Sequence, residues 1–299
     1  MIAIRPVETD TDLETWASVK SSVVANEPVT AEQLRASDEE GRLLVLAERD
    51  GTVAGCGIAA RSHFAGHGFV APRVLAEHRN RGVGRALLGA LSDHVRALGR
   101  DRVIAFVYAD EPHSVAFAER FGLRGTDYQL EQVRQIGAEP APEPPAGVEL
   151  VSLEGKRDEL LRAVWPVALE GYEDMPLPGE VAYELDEWLR DEASRPGGSF
   201  AAFEADEPIG YAGLLEHANG GATAEHGLTV VRRDRRGRGI ARALKRAQLH
   251  WAAENGLVEV CTWTQKGNEA MQALNRSLGY VDHARVITYQ GALPSPPGE

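Results

Sequence analysis

Apolar and polar positions along the chain fall into two sets of short segments that follow the same order. Each set opens on a strand-like run, IAIRPV at the N-terminus and VELVSL from Val148. Helical stretches come next, over 11–25 and 156–169. Then come paired apolar runs broken by an acidic-Gly or acidic-Pro turn, LLVLAERDGTVAGCGIAA and SFAAFEADEPIGYAGLLE. Such pairs predict hairpins. A further strand ends at an Arg/Gly motif. From each motif, over 83–98 and 240–254, apolar residues recur at helical spacing. Gly99 and Gly256 stand where a helix would stop. A buried strand (RVIAFVY or VEVCTWT), a short helix, a glycine and a last strand complete each set. The order predicts a mixed α/β fold, with a central sheet, antiparallel in its early strands, and helices on both faces.

The two sets are also related in sequence. RNRGVGRALL from Arg79 aligns with RGRGIARALK from Arg236, an offset of 157 residues. The same offset carries Gly82 to Gly239, Gly84 to Ala241, Leu87 to Leu244, Gly99 to Gly256 and Gly122 to Gly279 without a gap. This spacing indicates a duplication. Between the copies runs GAEPAPEPPAG, whose alternating prolines and acids suit an extended spacer. The expected organisation is an N-terminal domain over 1–136, a Pro/acidic linker over 137–147 and a C-terminal domain over 148–299.

Composition narrows the class. With 43% apolar and 26% charged residues, the chain is neither disordered, collagen-like nor a coiled coil. No apolar stretch is long enough to span a membrane, and the start lacks the pattern of a secretory signal. Cys56 and Cys261, the two cysteines, sit in apolar strand-like runs. They are expected to be buried thiols of a cytoplasmic protein. A net charge of −13 argues against nucleic acid as a general partner. Against that background, eight basic residues lie between Arg232 and Arg246, with Asp234 the sole acid among them.

The glycine motif does not match other nucleotide-binding loops. The chain has no GxxxxGK[ST]. Leu87 and Arg242 stand where a GxGxxG fingerprint needs its third glycine. A tight glycine turn opening a helix instead presents backbone N–H groups and the helix dipole to an anion such as pyrophosphate.

The strand–RxxGxG/A–helix unit resembles the acyl-CoA-binding loop of the GNAT superfamily of N-acetyltransferases. NEAMQALNRSLGY from Asn268 is similar to the family's late segment, and SVAFAERFGL from Ser114 is a weaker version. The resemblance covers both halves and implies two tandem GNAT domains. It implies acetyl-CoA as co-substrate and direct attack by an amine on its thioester. In the second half the family places a β-bulge in the strand before the loop, with pantetheine along Val231, Arg232 and Arg233. The phosphates then fall to Arg236, Arg238, Gly239, Ile240, Ala241 and Arg242, with Asn268 nearby. The first-half counterparts are Val74, Leu75, Arg79, Arg81, Gly82, Val83, Gly84 and Arg85.

The family's usual base lies eleven residues before the first motif arginine. That position is Glu225 in the second half and Gly68 in the first. His226 should point to the other face and be structural. A late-helix tyrosine often protonates the leaving thiolate. Asn275 and Ala118 hold that place here, so Asn275 is expected to assist by hydrogen bonding, with solvent or Tyr280 as donor. Glu111 stands opposite Asn268 and would repel phosphate. The second half is therefore expected to be catalytic and the first degenerate.

The acceptor pocket is expected from Tyr172, Glu173 and Asp174, together with Tyr183, Glu184, Asp186, Glu187 and Trp188, since carboxylates beside aromatics suit a cationic amine. Gly197–Ala201 precedes a strand rather than a helix, unlike a nucleophile elbow. His63 and His67 lack a third ligand in sequence, so no metal is expected. The expected activity is acetyl-CoA-dependent N-acetylation of a small-molecule amine, by a monomer or homodimer with no nucleic-acid or membrane partner. An amino sugar or aminoglycoside, an amino-acid derivative and a thiol-cofactor precursor remain open as acceptors. The alternative is a CoA-binding regulatory or structural module without turnover.

Overall fold

The computed structural model describes residues 1–37, 40–62, 64, 66–175, 184–217 and 220–294. In chain order the first half contains β1 (Ile2–Pro6), α1 (Asp10–Val23), α2 (Ala31–Ala36), β2 (Leu43–Arg49), β3 (Thr52–Arg61), β4 (His67–Val74), α3 (Val83–Ala97), β5 (Arg102–Tyr108), α4 (Pro112–Arg120) and β6 (Arg124–Gln135). The second contains β7 (Glu149–Ser152), α5 (Arg157–Glu173), α6 (Leu185–Asp191), β8 (Phe200–Glu204), β9 (Glu207–Glu216), β10 (Thr223–Val231), α7 (Ile240–Glu254), β11 (Glu259–Gln265), α8 (Glu269–Ser277) and β12 (Val281–Ala292). From α3 and α7 onward, each helix and strand begins and ends 157 residues from its counterpart. The mixed α/β class read from the pattern is what the structure shows.

The compact units are not the expected pair. One comprises Met1–Tyr128 with Val286–Glu299, and the other Gln129–Arg285. The cause is an exchange of last strands. Residues 286–292 of β12 pair antiparallel with β5 and complete the first unit. Residues 129–135 of β6 pair antiparallel with β11 and complete the second. Strand order is β1-β2-β3-β4-β5-β12 in the first unit and β7-β8-β9-β10-β11-β6 in the second. The Pro/acidic segment therefore lies inside the second unit. It is fastened there by the Ile136 N–H on the Val258 carbonyl (2.8 Å), an Arg134–Glu139 ion pair and the His250 ring on the Glu139 carbonyl (3.0 Å).

Each unit packs helices on both sheet faces. In the first, Val45 and Ala47 of β2 join Leu87, Leu91 and Val95 of α3, while Leu44 and Leu46 join Trp16, Val19 and Leu34 of α1 and α2. The switch of face at each residue is the period-2 signature of a strand buried on both sides. In the second unit Tyr211 and Val230 pack with α5 and α6, and Ala212 and Val231 pack with Ile240 and Leu244 of α7. Cys56 and Cys261 are free, buried thiols, as their apolar settings implied. No helix among the described residues is long and apolar enough to cross a membrane.

Candidate active site

The Arg/Gly motifs form the same turn in both units. After β10 a 3-10 turn spans Arg233–Arg235, and Gly239 begins α7 at φ 82° with no side-chain cap. After β4 the turn spans Ala76–His78, and Gly82 begins α3 at φ 86°. Two residues before these glycines, Gly237 (φ 76°) and Asn80 (φ 59°) are also left-handed. Glycine and asparagine are the residues that adopt this conformation most readily. An uncapped helix start leaves its first N–H groups open, and these groups suit a phosphate.

The arginines of the second loop are largely engaged by acids. Arg233 and Arg236 grip Asp174 (2.9 and 2.6 Å), and Arg233 also grips Glu173 (2.8 Å). The Glu170 carboxylate accepts the Arg233 N–H (2.9 Å). Arg235 and Arg238 share Glu204, whose carboxyl they hold down to about 2. Arg232 pairs with Asp234 and Glu207. Arg242 is exposed on the first turn of α7. Glu173 and Asp174, expected to greet an amine, therefore brace the loop instead. Tyr172 accepts the Trp188 indole N–H (2.9 Å), and Trp188 is buried. Tyr183, like His63, lies outside the described residues.

Lys245 departs further from the basic patch. It is 1% exposed, on the inner side of α7, with Nζ 5.6 Å from the centre of the Tyr280 ring. Burial pulls its pKa down to about 7. His226, buried beside it, contacts Tyr280 Oη and is held neutral by burial and by the Lys245 charge. Burial raises the Tyr280 phenol well above its ordinary value, which makes it a poor proton donor. Asn275 is wholly buried and donates to Gln132 Oε1 (2.9 Å), so it links β6 to α8 inside the unit. Asn268 caps α8 through the Met271 N–H (3.3 Å).

The strand before the loop decides the remaining geometry. Opposite β9, the register of β10 shifts by one residue between His226 and Thr229, so Gly227 and Leu228 together face Gly213. This is a β-bulge, and it flips the alternation of faces. Before it, Ala224 packs beside Ala252 of α7; after it, Leu228 and Val230 pack with α5. Glu225, odd-numbered and ahead of the bulge, is thereby turned to the α5 side and is half-buried. Burial, and to a lesser degree Glu131, raise its pKa.

The parallel pairing of β10 with β11 ends at His226–Thr262, although β10 runs on to Val231. The Arg232 N–H donates to Ile209 on the β9 side (2.9 Å). By alternation, the N–H groups of Thr229 and Val231 face the opposite side, past the end of the β11 ladder. The Val231 carbonyl takes Arg236 Nε there (2.9 Å). Two N–H groups clear of the β11 ladder and a carboxylate of raised pKa thus lie along β10, with the uncapped start of α7 following it. His217, Glu225 and Cys261 also offer donor atoms within 4.8 Å of one another, a set able to hold a divalent transition metal.

The model of the acetyltransferase (GNAT) family matches residues 10–123 and 161–280, once in each half. The chain belongs to the GNAT acetyltransferases. A mycothiol acetyltransferase of Kocuria rhizophila is 28% identical over 276 residues, covering 87% of this chain and 89% of that protein. One from Thermobispora bispora is 30% identical over 71% of this chain and 72% of its own. Among solved structures, a GCN5-related N-acetyltransferase from Sphaerobacter thermophilus superposes over all of this chain with a TM-score of 0.80 at 21% identity, covering 97% of that chain. A tandem GNAT protein from the clavulanic acid biosynthesis pathway covers both chains fully, with a TM-score of 0.75 at 20% identity. These likenesses show the fold.

The first GNAT repeat keeps the loop and lacks the rest. Arg81 and Arg85 are exposed, and Arg79 Nε reaches the Val74 carbonyl (3.4 Å), the counterpart of the Arg236–Val231 bond. The register of β4 against β3 is unbroken, so there is no bulge. Gly68 consequently faces α3, where an added Cβ would lie 2.5 Å from Val95. Pro72 occupies the place of Thr229 and has no N–H to offer. The sequence held that signal, since Pro72 lies 157 residues before Thr229.

Proposed function

We propose that the protein transfers an acetyl group from acetyl-CoA to the primary amine of a small molecule, with the chemistry in the second repeat. The single observation that carries this reading is the β10 bulge. It sets Glu225 on the α5 side of the strand while the Thr229 and Val231 N–H groups face the end of the β11 ladder. Acetyl-CoA suits the left-handed glycine turn and uncapped α7 start, with backbone N–H groups meeting its phosphates. The arginines contribute mainly as the frame that Asp174 and Glu204 hold in place.

In this reading Glu225 accepts a proton from the acceptor ammonium, giving a free amine. The nitrogen bonds to the thioester carbon, and the carbonyl oxygen gains charge that the Thr229 and Val231 N–H groups stabilise. The nitrogen gives up its second proton to solvent, the C–S bond breaks to leave the amide, and the thiolate takes a proton from solvent, because Asn275 is buried and Tyr280 holds its own. The name borne by the curated relatives supports a small acceptor related to mycothiol.

Calorimetric titration with acetyl-CoA tests the assignment of repeats. One site per chain, lost on replacing Gly239 by a bulky residue and kept on replacing Gly82, is expected. Binding that depends on Gly82 alone would move the chemistry to the first repeat, and absence of binding at millimolar ligand would end the reading.

A further inference from the structure

A bulge needs an explanation of its own, because the extra residue takes one strand out of step with its neighbour and leaves a ladder N–H without a partner. Here a carboxylate from outside the sheet stands over the bulge. Glu192, which caps the C-terminal end of α6, is 8% exposed. Its Oε1 accepts the Tyr211 hydroxyl at 3.0 Å.

The seat of this carboxylate is cut into the sheet by two glycines on facing strands. A Cβ added to Gly213 would stand 2.0 Å from Oε1, and one added to Gly227 would stand 2.5 Å away. The backbone behind it is also constrained. Ala193 is left-handed at φ 52°, and Arg157 binds the carbonyls of Leu189, Glu192 and Ala193. A non-glycine residue in that conformation persists where its surroundings hold it.

The first repeat supplies the contrast. Gly55 pairs with Val74 as Gly210 pairs with Val231. Three residues further along those strands stand Ile58 and Gly213. Ile58 packs into the α1–α2 cluster, leaving no seat for a carboxylate, and the adjacent strand has no bulge. Burying a carboxyl is costly without hydrogen-bond partners. Its presence beside the bulge, and its replacement by apolar packing where the ladder is unbroken, give it a structural purpose.

We infer that Glu192 is the positioning residue of the active site: with its carboxyl seated over Gly213 and Gly227 and accepting the Tyr211 hydroxyl, it holds the β10 bulge and so keeps residue 225 turned to the α5 side of the sheet. Its effect on turnover rests on Glu225 being the base; its effect on strand register does not. Loss of the acceptor lets β10 slip into the unbroken register of β4, which carries position 225 under α7, as Gly68 lies under α3.

The test uses the full chain and two readouts. Glu192→Gln keeps an oxygen acceptor and should retain turnover. Glu192→Met removes the acceptor at similar volume and should lower kcat about 100-fold, the scale expected for misplacing a catalytic group by an ångström, with KM for acetyl-CoA little changed. The second readout is labelling of Glu225→Cys by iodoacetamide, with Cys56 and Cys261 replaced by alanine. The thiol should label in the Glu192 parent and be protected when Glu192→Met is added. Should that variant not fold, Gly213→Ala displaces the carboxyl while leaving Glu192 in place and should protect the thiol likewise. Equal labelling in parent and variants overturns the inference. So does a Glu192→Gln variant as impaired as Glu192→Met, which would mean the charge, rather than the acceptor, matters. If Glu225→Gln alone leaves turnover intact, the base assignment fails, and the labelling still decides the register.

Discussion

β4 and β10 descend from one ancestral strand and end alike. Each leads through a 3-10 turn to a left-handed glycine, and each has its last carbonyl held by the first motif arginine, Arg79 or Arg236. They differ in register against the neighbouring strand. In β4 the ladder is unbroken, Gly68 faces the helix, and Pro72 interrupts the row of donors. In β10 the bulge turns Glu225 to the opposite face, and Thr229 keeps its N–H. The glycine turn is thus common to both repeats while the face presented at position 68 or 225 is not, because the turn depends on local backbone conformation and the face depends on strand register.

The largest effect should come from removing the base itself. Glu225→Gln is expected to lower kcat about 10²- to 10⁴-fold, the range for a general base, with binding of acetyl-CoA preserved. Because burial raises the Glu225 pKa, the carboxylate form and hence kcat/KM of the parent should be lost as pH falls through a value above the ordinary carboxylate range. A profile flat through that range would refute the assignment.

Copying the first repeat into the second should nearly match that loss. Thr229→Pro deletes one donor and is expected to cost about 10²- to 10³-fold in kcat, as for an oxyanion donor. Normal turnover would remove that N–H from the mechanism. The reverse graft should fail for a steric reason. Gly68→Glu places its side chain against Val95, which predicts about 1–3 kcal/mol of destabilisation from overpacking, read by denaturant unfolding, and no second active site.

The smallest effect concerns Lys245, whose counterpart is the buried Leu88. With a folded pKa of about 7 against an ordinary 10.5, the folded chain binds fewer protons than the unfolded one between those values. This group therefore makes stability rise with pH from about 7 to 10.5 and lowers it below. Lys245→Leu should remove that slope and raise Tm most at acid pH. A slope that survives the substitution would assign it to another group.

Much of the fold was legible because its signals are local. The 157-residue offset and the period of the apolar positions marked the shared helices and strands from α3 and α7 onward. Turn chemistry marked the loops, with glycine at 82 and 239. Less of the site could be read. Acidic residues near an expected pocket look alike on paper, yet Glu173 and Asp174 brace the arginine loop, and Glu192, in the same stretch, sits beneath the bulge. A basic run likewise hides that one helical turn carries Lys245 inward and Arg242 outward. Asn275 fitted a family position, but its burial against Gln132 depends on β6, a strand contributed from the other half of the sequence.

By itself the sequence determined the mixed α/β class, the duplication and the two glycine turns. Those follow from periodicity and backbone preference within a few residues. Only the tertiary structure decided that the last strands are exchanged, that the Pro/acidic segment over 137–147 does not divide the units and that Glu225 faces α5. Strand partners, and an insertion of one residue in a ladder, are set by contacts between segments far apart in the chain, and a single step of register turns every side chain to the opposite face.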